Sequence, residues 1–493
     1  MAIQLIRSVI AAASRDPERA AILEVGSSRW RTRREILSAA IHAARRLDRL
    51  AEPGATVILH GPGGAGYWAG LLAVFGTGRR LLPVGPETTA ADFDALLASH
   101  RVAVVLRTND SVEPFRTDDS VHEITIDFVA PEKGADDDPF DRAGDASLLL
   151  RSSGSTGRPG VVLRDSSAID RVAETLVDVL DLVEEDRVLA TIPMQHAYGI
   201  EHGVLAPMRA GASVAFKAGF DLRSGAEALL DGTTVFPAVP VTLEAAARIG
   251  RTGTDLRLAY TAGTRLPESV REAFVAAWGV PVGDLYGMTE IGTITWGIDG
   301  AGRAVAGVSI GVIDPSDATG SPEIRREGEG EIVVRSDAML TGYLEDGSGA
   351  AEPGRRIDGH LRTGDLGRID AEGRLRITGR AKLQFDVGGL KVNPEDVEKM
   401  LLEVEGVKEV AVVPLDLSET VTRVMAVIVG DHQIEPGPLE ALVRAECRRT
   451  LPSHQRPRVI RVVSELPRSA TGKLLRGRLM DDAAVSGPGE RGR

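Results

Sequence analysis

The sequence predicts a two-domain α/β protein, a large layered α/β domain followed by a small α+β domain. The chain has 493 residues, well past the ~250–300 at which one hydrophobic core stops growing. From residue 1 to about 380, short β-rich runs alternate with helical patterns, which argues for α/β layers with largely parallel strands. Beyond that point the pattern changes to a compact helix–strand–strand–helix unit. The expected division is 1–381 for the large domain, 383–480 for the small one and 481–493 for a tail.

The opening M-A-I-Q-L-I-R-S-V-I-A-A-A-S-R-D reads as an amphipathic helix. Its Arg follows the apolar stretch and no small-residue cleavage site is present, so it is not read as a signal peptide. A-T-V-I-L-H (55–60) reads as a strand, Y-W-A-G-L-L-A-V-F (67–75) as a helix and R-V-A-V-V-L-R (101–107) as a strand. The Asp-rich stretch 129–145 reads as a loop, with Asp136, Asp137 and Asp138 solvated. Residues 365–380, D-L-G-R-I-D-A-E-G-R-L-R-I-T-G-R, place two alternating strands around a turn at Glu372–Gly373. A helix then starts near Asn393 as N-cap with Pro394 at its first position, and Val397, Met400, Leu401 and Val404 share one apolar face. Strands at 407–414 and 421–429 and a helix at 438–450 complete a unit of ~110 residues, large enough to fold alone. The last dozen residues, rich in Gly, Ser, Pro and Arg, are expected to be disordered.

Hydrophobic residues make up 43% of the chain and aromatics only 4%, so the cores must be built from Ala, Val, Leu and Ile. The formal net charge of −13 disfavours nucleic acid as a general partner and gives no attraction to an anionic membrane. An anionic substrate must then be held by local donors. The single cysteine, Cys447, excludes an intrachain disulfide and a multi-cysteine metal site. No apolar run approaches the ~18–20 residues of a membrane span. A soluble, cytoplasmic protein is expected.

The sharpest feature is L-L-L-R-S-S-G-S-T-G-R-P-G-V-V-L at 148–163. An apolar run feeds a loop of small hydroxyl and glycine residues, and a second apolar run leaves it. Gly154 and Gly157 let backbone N–H groups converge on an anion, and Ser152, Ser153, Ser155 and Thr156 add hydroxyl donors, the chemistry a polyphosphate needs. The pattern G-x-x-x-x-G-K-[ST] of a Walker loop is absent. The bland alternative is a surface loop, and apolar runs on both sides weigh against it.

Further segments follow in order: P-M-Q-H-A-Y-G (193–199), T-A-G-T-R-L-P (261–267), Y-G-M-T-E (286–290), G-E-G-E-I-V-V-R (328–335), T-G-Y (341–343), L-R-T-G-D-L-G (361–367), G-R-A-K (379–382), G-G-L-K-V-N-P-E-D-V-E (388–398) and P-R-S-A-T-G-K-L-L-R (467–476). With the loop, they resemble the motif series of the acyl-adenylate-forming superfamily, which includes acyl- and aryl-CoA synthetases, adenylation domains of peptide synthetases, and luciferases. The resemblance runs from about 148 to 476; the first ~140 residues carry no comparable signature.

The resemblance implies an ATP- and Mg²⁺-dependent enzyme that joins a carboxylic acid to AMP and passes the acyl group to a thiol, that of CoA or of a carrier-protein phosphopantetheine. It implies that Tyr286 stacks on adenine beside Gly263, Thr264 and Gly287, that Thr289 donates to the α-phosphate, and that Glu290 helps hold Mg²⁺. Asp365 would accept from the ribose hydroxyls and Arg380 reach the ribose and phosphates. Lys473 would bridge carboxylate and α-phosphate, Lys382 would be the hinge, and Gly388 and Gly389 would border the thiol tunnel. His196 would sit as a gate between acyl pocket and tunnel, with Tyr198, Gly199 and Met288 lining the pocket. Tyr198, Met288 and Phe236 suggest an apolar, aryl or medium-length acid, and no Asp is placed to greet an α-amino group. Such gathering of anions calls for a cation, a metal ion and hydroxyl donors where charge develops. Standing alone, the same residues would read as a core Tyr, a surface Glu, a turn Asp and a tail Lys. His196 and His202 are not read as metal ligands, since a spacing of six puts them on different helix faces.

Two departures stand out. Where the family loop runs Gly-Lys-Pro-Lys-Gly-Val, this chain has Gly157-Arg158-Pro159-Gly160-Val161, without the second Lys. Either Arg158 or Arg164 replaces its charge, or the β- and γ-phosphates are held less tightly. Asp386 stands where a basic residue is common. The missing Lys also keeps open a non-catalytic adenylate-binding protein, against which Lys473, Glu290 and Asp365 argue. Separately, G-P-G-G-A-G (61–66) with Glu87 about 20 residues on has the outline of a dinucleotide fingerprint. A lone match is weak evidence in a chain with 55 glycines.

Overall fold

The computed structural model describes residues 4–25, 27, 29–109, 121–128, 139–142, 146–151, 161–250, 253–263, 266–298, 300, 302–314, 322–344, 356–380, 385–392, 394–418, 420–431, 435–467, 476 and 478–480. They divide into two compact units, one within residues 4–380 and one within 385–480.

The large unit is built on two sheets. In the smaller, Arg80–Val84, Thr56–His60, Val102–Arg107 and His122–Thr125 run parallel, and Ser147–Arg151 joins them before the antiparallel Val161–Asp165 and Gly342–Leu344. In the larger, a parallel set runs from Ala20–Glu24 through Ser213–Phe216, Arg187–Ala190, Val235–Ala238 and Leu258–Ala262 to Val282–Met288. Beyond Val282–Met288 the pairing becomes antiparallel, through Gly292–Gly297, Gly302–Ala304, Arg374–Arg380, His360–Ile369, Gly328–Ser336 and Val308–Ile313. This half departs from the largely parallel expectation, and two of its pairs, Val282–Met288 with Gly292–Gly297 and His360–Ile369 with Arg374–Arg380, are joined by tight turns. A parallel pair needs a crossover of a dozen or more residues. Glu372–Gly373 lies in the second of these turns, with Gly373 at φ +74°.

Strand alternation decides which residues meet which layer. Val57, Leu59 and Val104 of the smaller sheet and Ile22, Val188 and Val214 of the larger share one core with helices Arg33–Leu50, Ala65–Gly76 and Ser166–Leu180. Ile58, Leu82 and Val105 face the other way, onto Phe93 and Leu96 of helix Ala90–His100. Leu189, Phe236 and Val282 of the larger sheet pack under Leu243, Phe274 and Trp278. The layers therefore alternate helix, sheet, helix, sheet, helix. Ala65–Gly76 is apolar all round and every residue of it is buried, as a helix between two sheets must be. Helix Arg33–Leu50 starts with a reciprocal capping box, Thr32 Oγ1 accepting from Glu35 N–H while Glu35 accepts from Thr32 N–H.

In the small unit, Val407–Asp416 pairs antiparallel with Thr422–Gly430, which in turn pairs parallel with Val459–Val463, a strand the sequence reading did not assign. Helices Pro394–Leu402 and Pro436–Thr450 supply Val397, Leu401, Leu439, Val443 and Cys447 to its core. Asn393, the expected cap, lies outside the described residues, as do Asp136, Asp137, Asp138 and 481–493. Cys447 is 3% exposed, and burial, reinforced by Glu446, pushes its thiol up to about 11. No helix among the described residues is long and apolar enough to cross a membrane.

Candidate active site

Strand Ser147–Arg151 pairs with Val161–Asp165 so that Arg151 faces Val161. The buried strands thus bracket residues 152–160. Ser152, Ser153, Gly154, Ser155, Thr156, Gly157 and Arg158 lie outside the described residues. Arg164 does not replace the missing loop lysine. It is fully buried, its Nη1 is 2.6 Å from Glu201 Oε1, and its Nε donates to the Thr289 carbonyl at 3.0 Å. A guanidinium spent on a buried carboxylate and backbone carbonyls is not offered to a phosphate.

The Y-G-M-T-E segment closes a tight hairpin. Val282–Met288 pairs with Gly292–Gly297, with a bulge between Tyr286 and Gly287, and Ile291 N–H donates to the Met288 carbonyl at 3.0 Å. A Cβ on Gly287 would lie 2.6 Å from the Gly292 carbonyl oxygen, so glycine is needed there for close packing of the two strands. Tyr286 Oη donates to Asp365 Oδ2 at 2.8 Å, and Asp365 N–H donates to Thr363 Oγ1 at 3.1 Å. Asp365 sits on His360–Ile369, whose neighbour Arg374–Arg380 places the Arg380 backbone opposite it. Glu290, 5% exposed, accepts from Tyr343 Oη at 2.9 Å. The tyrosine of the T-G-Y segment thereby holds the acid of Y-G-M-T-E, a role sequence reasoning did not assign.

His196 is the N-cap residue of a helix that runs through Ala197–Ile200, a π turn at Glu201–Leu205, and Ala206–Ala210. Tyr67, from the buried helix between the sheets, fixes the start of this segment by donating to the Met194 carbonyl at 2.8 Å. Gly199 is buried, and a Cβ there would come 2.0 Å from the Pro193 carbonyl oxygen. Backbone crowding therefore accounts for this glycine. Tyr198 Oη donates to the Ala238 carbonyl at 3.0 Å, and its ring lies edge-on to His202 with centroids 4.7 Å apart. His202 Nδ1 is 2.8 Å from Tyr260 Oη, and burial drives the imidazole down to about 3, so it is neutral. Phe236 corrects one expectation. It is fully buried in the core beneath the larger sheet, 5.9 Å from Phe220 between centroids, and is spent on packing rather than on a pocket wall.

Gly263 ends strand Leu258–Ala262 at φ +87°, a left-handed conformation suited to glycine. Thr264, Lys382 and Lys473 lie outside the described residues. In the small unit, Gly388 and Gly389 form the two-residue turn between Phe385–Val387 and Leu390–Val392, at φ +61° and +86°, the signs a tight hairpin turn demands. Asp386 Oδ1 accepts from Gly389 N–H at 2.7 Å, so the unusual acid caps this turn. Glu398 and Arg476, from the two C-terminal motifs, join through Arg476 Nη2 at 2.6 and 2.7 Å from the two carboxylate oxygens.

The glycines of 61–66 do form a strand–turn–helix, between Thr56–His60 and Ala65–Gly76. However, Glu24 Oε1 accepts from Ala65 N–H at 3.3 Å. A carboxylate already occupies the helix end where a dinucleotide pyrophosphate would sit.

Residues 9–344 match the family model of the AMP-binding enzymes, and residues 396–473 that of the AMP-binding enzyme C-terminal domain. The chain belongs to the AMP-binding enzyme family. This AMP-binding enzyme is 28% identical over 417 residues to the sulfoacetate–CoA ligase of Cupriavidus necator, covering 82% of this chain and 78% of that protein. It is 29% identical over 442 residues to the indoleacetate–CoA ligase of Aromatoleum aromaticum, covering 82% and 84%. Its fold is similar to that of the o-succinylbenzoate CoA synthetase of Bacillus subtilis, with a TM-score of 0.83 at 22% identity over 96% of this chain and 98% of the other. Of the residues marked by sequence, this AMP-binding enzyme brings together Tyr286, Gly287, Met288, Thr289 and Glu290 on one hairpin and Asp365 on a strand of the same sheet, with two strands between them, through the Tyr286–Asp365 hydrogen bond. Tyr198 and His202 meet one another on a separate helix.

Proposed function

We propose that this AMP-binding enzyme activates a carboxylic acid with ATP, forming acyl-AMP and releasing pyrophosphate, and then transfers the acyl group to the thiol of CoA. The observation that carries the reading is the hydrogen bond between Tyr286 and Asp365. It sets an aromatic ring beside a carboxylate, the pair that adenine and ribose require. A carboxylate has about four acceptor sites, so Asp365 can accept from Tyr286 and from ribose hydroxyls together. On this reading Gly263, Thr264 and Gly287 border the adenine, Thr289 donates to the α-phosphate, and Arg380 reaches the ribose and phosphates. The hydroxyls and N–H groups of Ser152–Gly157 hold the departing phosphates, and Lys473 bridges carboxylate and α-phosphate. The small domain turns about Lys382 between the half-reactions, and the Gly388–Gly389 turn then borders the thiol path, gated by His196.

Glu290 fits a Mg²⁺ role chemically. It is a hard oxygen donor held in place by Tyr343, and no cluster of three or more metal-binding side chains exists among the described residues. Mg²⁺ is commonly held by one or two carboxylates together with substrate phosphates. When bound it would neutralise charge on those phosphates. The two CoA ligases named above act on acids as different as sulfoacetate and indoleacetate. With Phe236 removed from the lining, Tyr198 and Met288 remain to favour an aryl or medium-length acyl acid.

The test is pyrophosphate release with Mg·ATP and a panel of aryl, acyl and amino acids, followed by thioester formation with CoA and with a carrier protein. Acid-dependent release followed by CoA thioester is the expected result. No release with any acid would leave an adenylate-binding protein, and thioester on the carrier protein alone would change the acceptor.

A further inference from the structure

Arg164 is an arginine inside an apolar strand, V-V-L-R-D, and Glu201 is an acid inside an apolar helix, A-Y-G-I-E-H-G-V-L. Their side chains are 1% and 4% exposed and 2.6 Å apart. Burying two charges costs so much desolvation that a buried pair is weak evidence of stabilisation, and apolar replacements are often as stable. The rest of the guanidinium shows what the pair does. Nε donates to the Thr289 carbonyl at 3.0 Å, and Nη2 donates to the Thr289 carbonyl and, at 3.3 Å, to that of Met288. These carbonyls precede Glu290 in the turn between the two strands. The same turn is held elsewhere by Leu340 N–H on the Glu290 carbonyl, at 2.8 Å, and by Tyr343 on the Glu290 carboxylate. Gly292, at φ +88°, borders the clamp, and a Cβ there would crowd Val172 at 2.8 Å.

We infer that Arg164, paired with Glu201, is a positioning residue that fixes the Thr289–Glu290 turn and ties it to the strand leaving the 152–160 segment and to the helix bearing Tyr198. The fork geometry is essential to this. Five donors on one rigid plane can hold a carboxylate and two carbonyls at once, which a lysine ammonium cannot match. Glu201 and His202 open the π turn, Glu201 meeting Arg164 and His202 reaching Tyr260. The expected catalytic consequence rests on the roles proposed above for Thr289 and Glu290; the effect on the turn itself does not.

The test compares wild type with Arg164→Met/Glu201→Leu, which removes both charges together, and with Arg164→Lys, which keeps a cation opposite Glu201 but loses the fork. Amide hydrogen exchange over residues 286–292 reads the turn without any substrate. Exchange in this peptide is expected to accelerate tenfold or more in the double variant, while strand Ser213–Phe216 exchanges as in wild type. Pyrophosphate release should lose about tenfold to a hundredfold in kcat, as a small misplacement of reacting groups does, with KM for ATP changed less than threefold. The Mg²⁺ concentration for half-maximal rate should rise. Arg164→Lys should move all readouts in the same direction and serves alone if the double variant does not fold. Wild-type exchange over 286–292 in a folded variant, or wild-type kcat in Arg164→Lys, would overturn the assignment. If wild type releases no pyrophosphate with any acid, the proposed reaction fails, and exchange alone decides the role of Arg164.

Discussion

The phenol of Tyr286 donates to Asp365 Oδ2 at 2.8 Å across 79 residues of sequence, linking the strand that ends in Y-G-M-T-E with the strand that carries T-G-D-L-G. Asp365 is 8% exposed, so its carboxylate is placed before any nucleotide arrives. Preorganised acceptors of this kind lose little on binding.

Asp365→Ala should weaken ATP and AMP binding at least tenfold without unfolding the protein, since each charge-assisted bond to ribose contributes about 1.5–3 kcal/mol. Tyr286→Phe keeps the ring and removes the bond to Asp365, so its loss should be smaller, about 0.5–1.5 kcal/mol. Titration calorimetry with both nucleotides measures this. Unchanged affinity in Asp365→Ala would take that residue out of the site.

Lys473→Ala should separate the half-reactions. An ammonium between carboxylate and α-phosphate acts where negative charge gathers, so acyl-AMP formation should slow by ~10²–10³. Supplied with synthetic acyl-AMP, the variant should still form thioester near the wild-type rate. Full-rate pyrophosphate release by the variant would refute the role, and loss of both steps would indicate a folding defect.

Lys382→Pro fixes one φ angle at the proposed hinge. Adenylation should survive, while thioester formation slows. Equal loss of both steps, or no change in either, would place the hinge elsewhere.

Acid sensitivity follows from His202. Burial lowers its imidazole from an ordinary 6.5 to about 3, so the folded chain keeps it neutral where the unfolded chain protonates it. That contribution to stability is fully present above pH 6.5 and is lost as pH falls from 6.5 toward 3, at about 1.4 kcal/mol per pH unit. His60, driven to about 4 by burial and Arg107, acts in the same sense. Denaturant unfolding of His202→Gln at pH 7, 6 and 5 should show a pH slope shallower than wild type, amounting to about 2 kcal/mol less stability lost between pH 7 and pH 5. An unchanged slope would mean that His202 is not held neutral.

The legible parts of the molecule were those written in local pattern. The helix at 67–75 is written as an unbroken apolar run, the turn at Glu372–Gly373 by its glycine and the helix after Pro394 by the apolar face of Val397, Leu401 and Val404, each within a few positions. The hairpin at Tyr286–Glu290 was legible as a motif, but its fastening was not. Tyr343 on Glu290, and Arg164 on Glu201 and the Met288 and Thr289 carbonyls, are pairings between distant segments that a single sequence does not encode by spacing. A signal was nonetheless present. A charged residue within an apolar strand or helix must find a buried partner, and Arg164 and Glu201 are such a pair. Phe236 misled in the opposite way, because an aromatic beside pocket segments is as readily turned under the sheet by strand alternation. Asp386 looked like a departure in the chemistry and is explained by the turn it caps.

Cys447 is the only cysteine in the chain, is 3% exposed, and has its thiol pushed up to about 11. Thiolate, the form that reacts with maleimides, is therefore scarce at neutral pH and shielded where it forms. The native chain is close to silent toward thiol-directed dyes. A cysteine introduced on the surface of each unit would give two clean attachment points for a donor and an acceptor fluorophore. Distance changes during turnover could then be followed on single molecules without first deleting a native thiol.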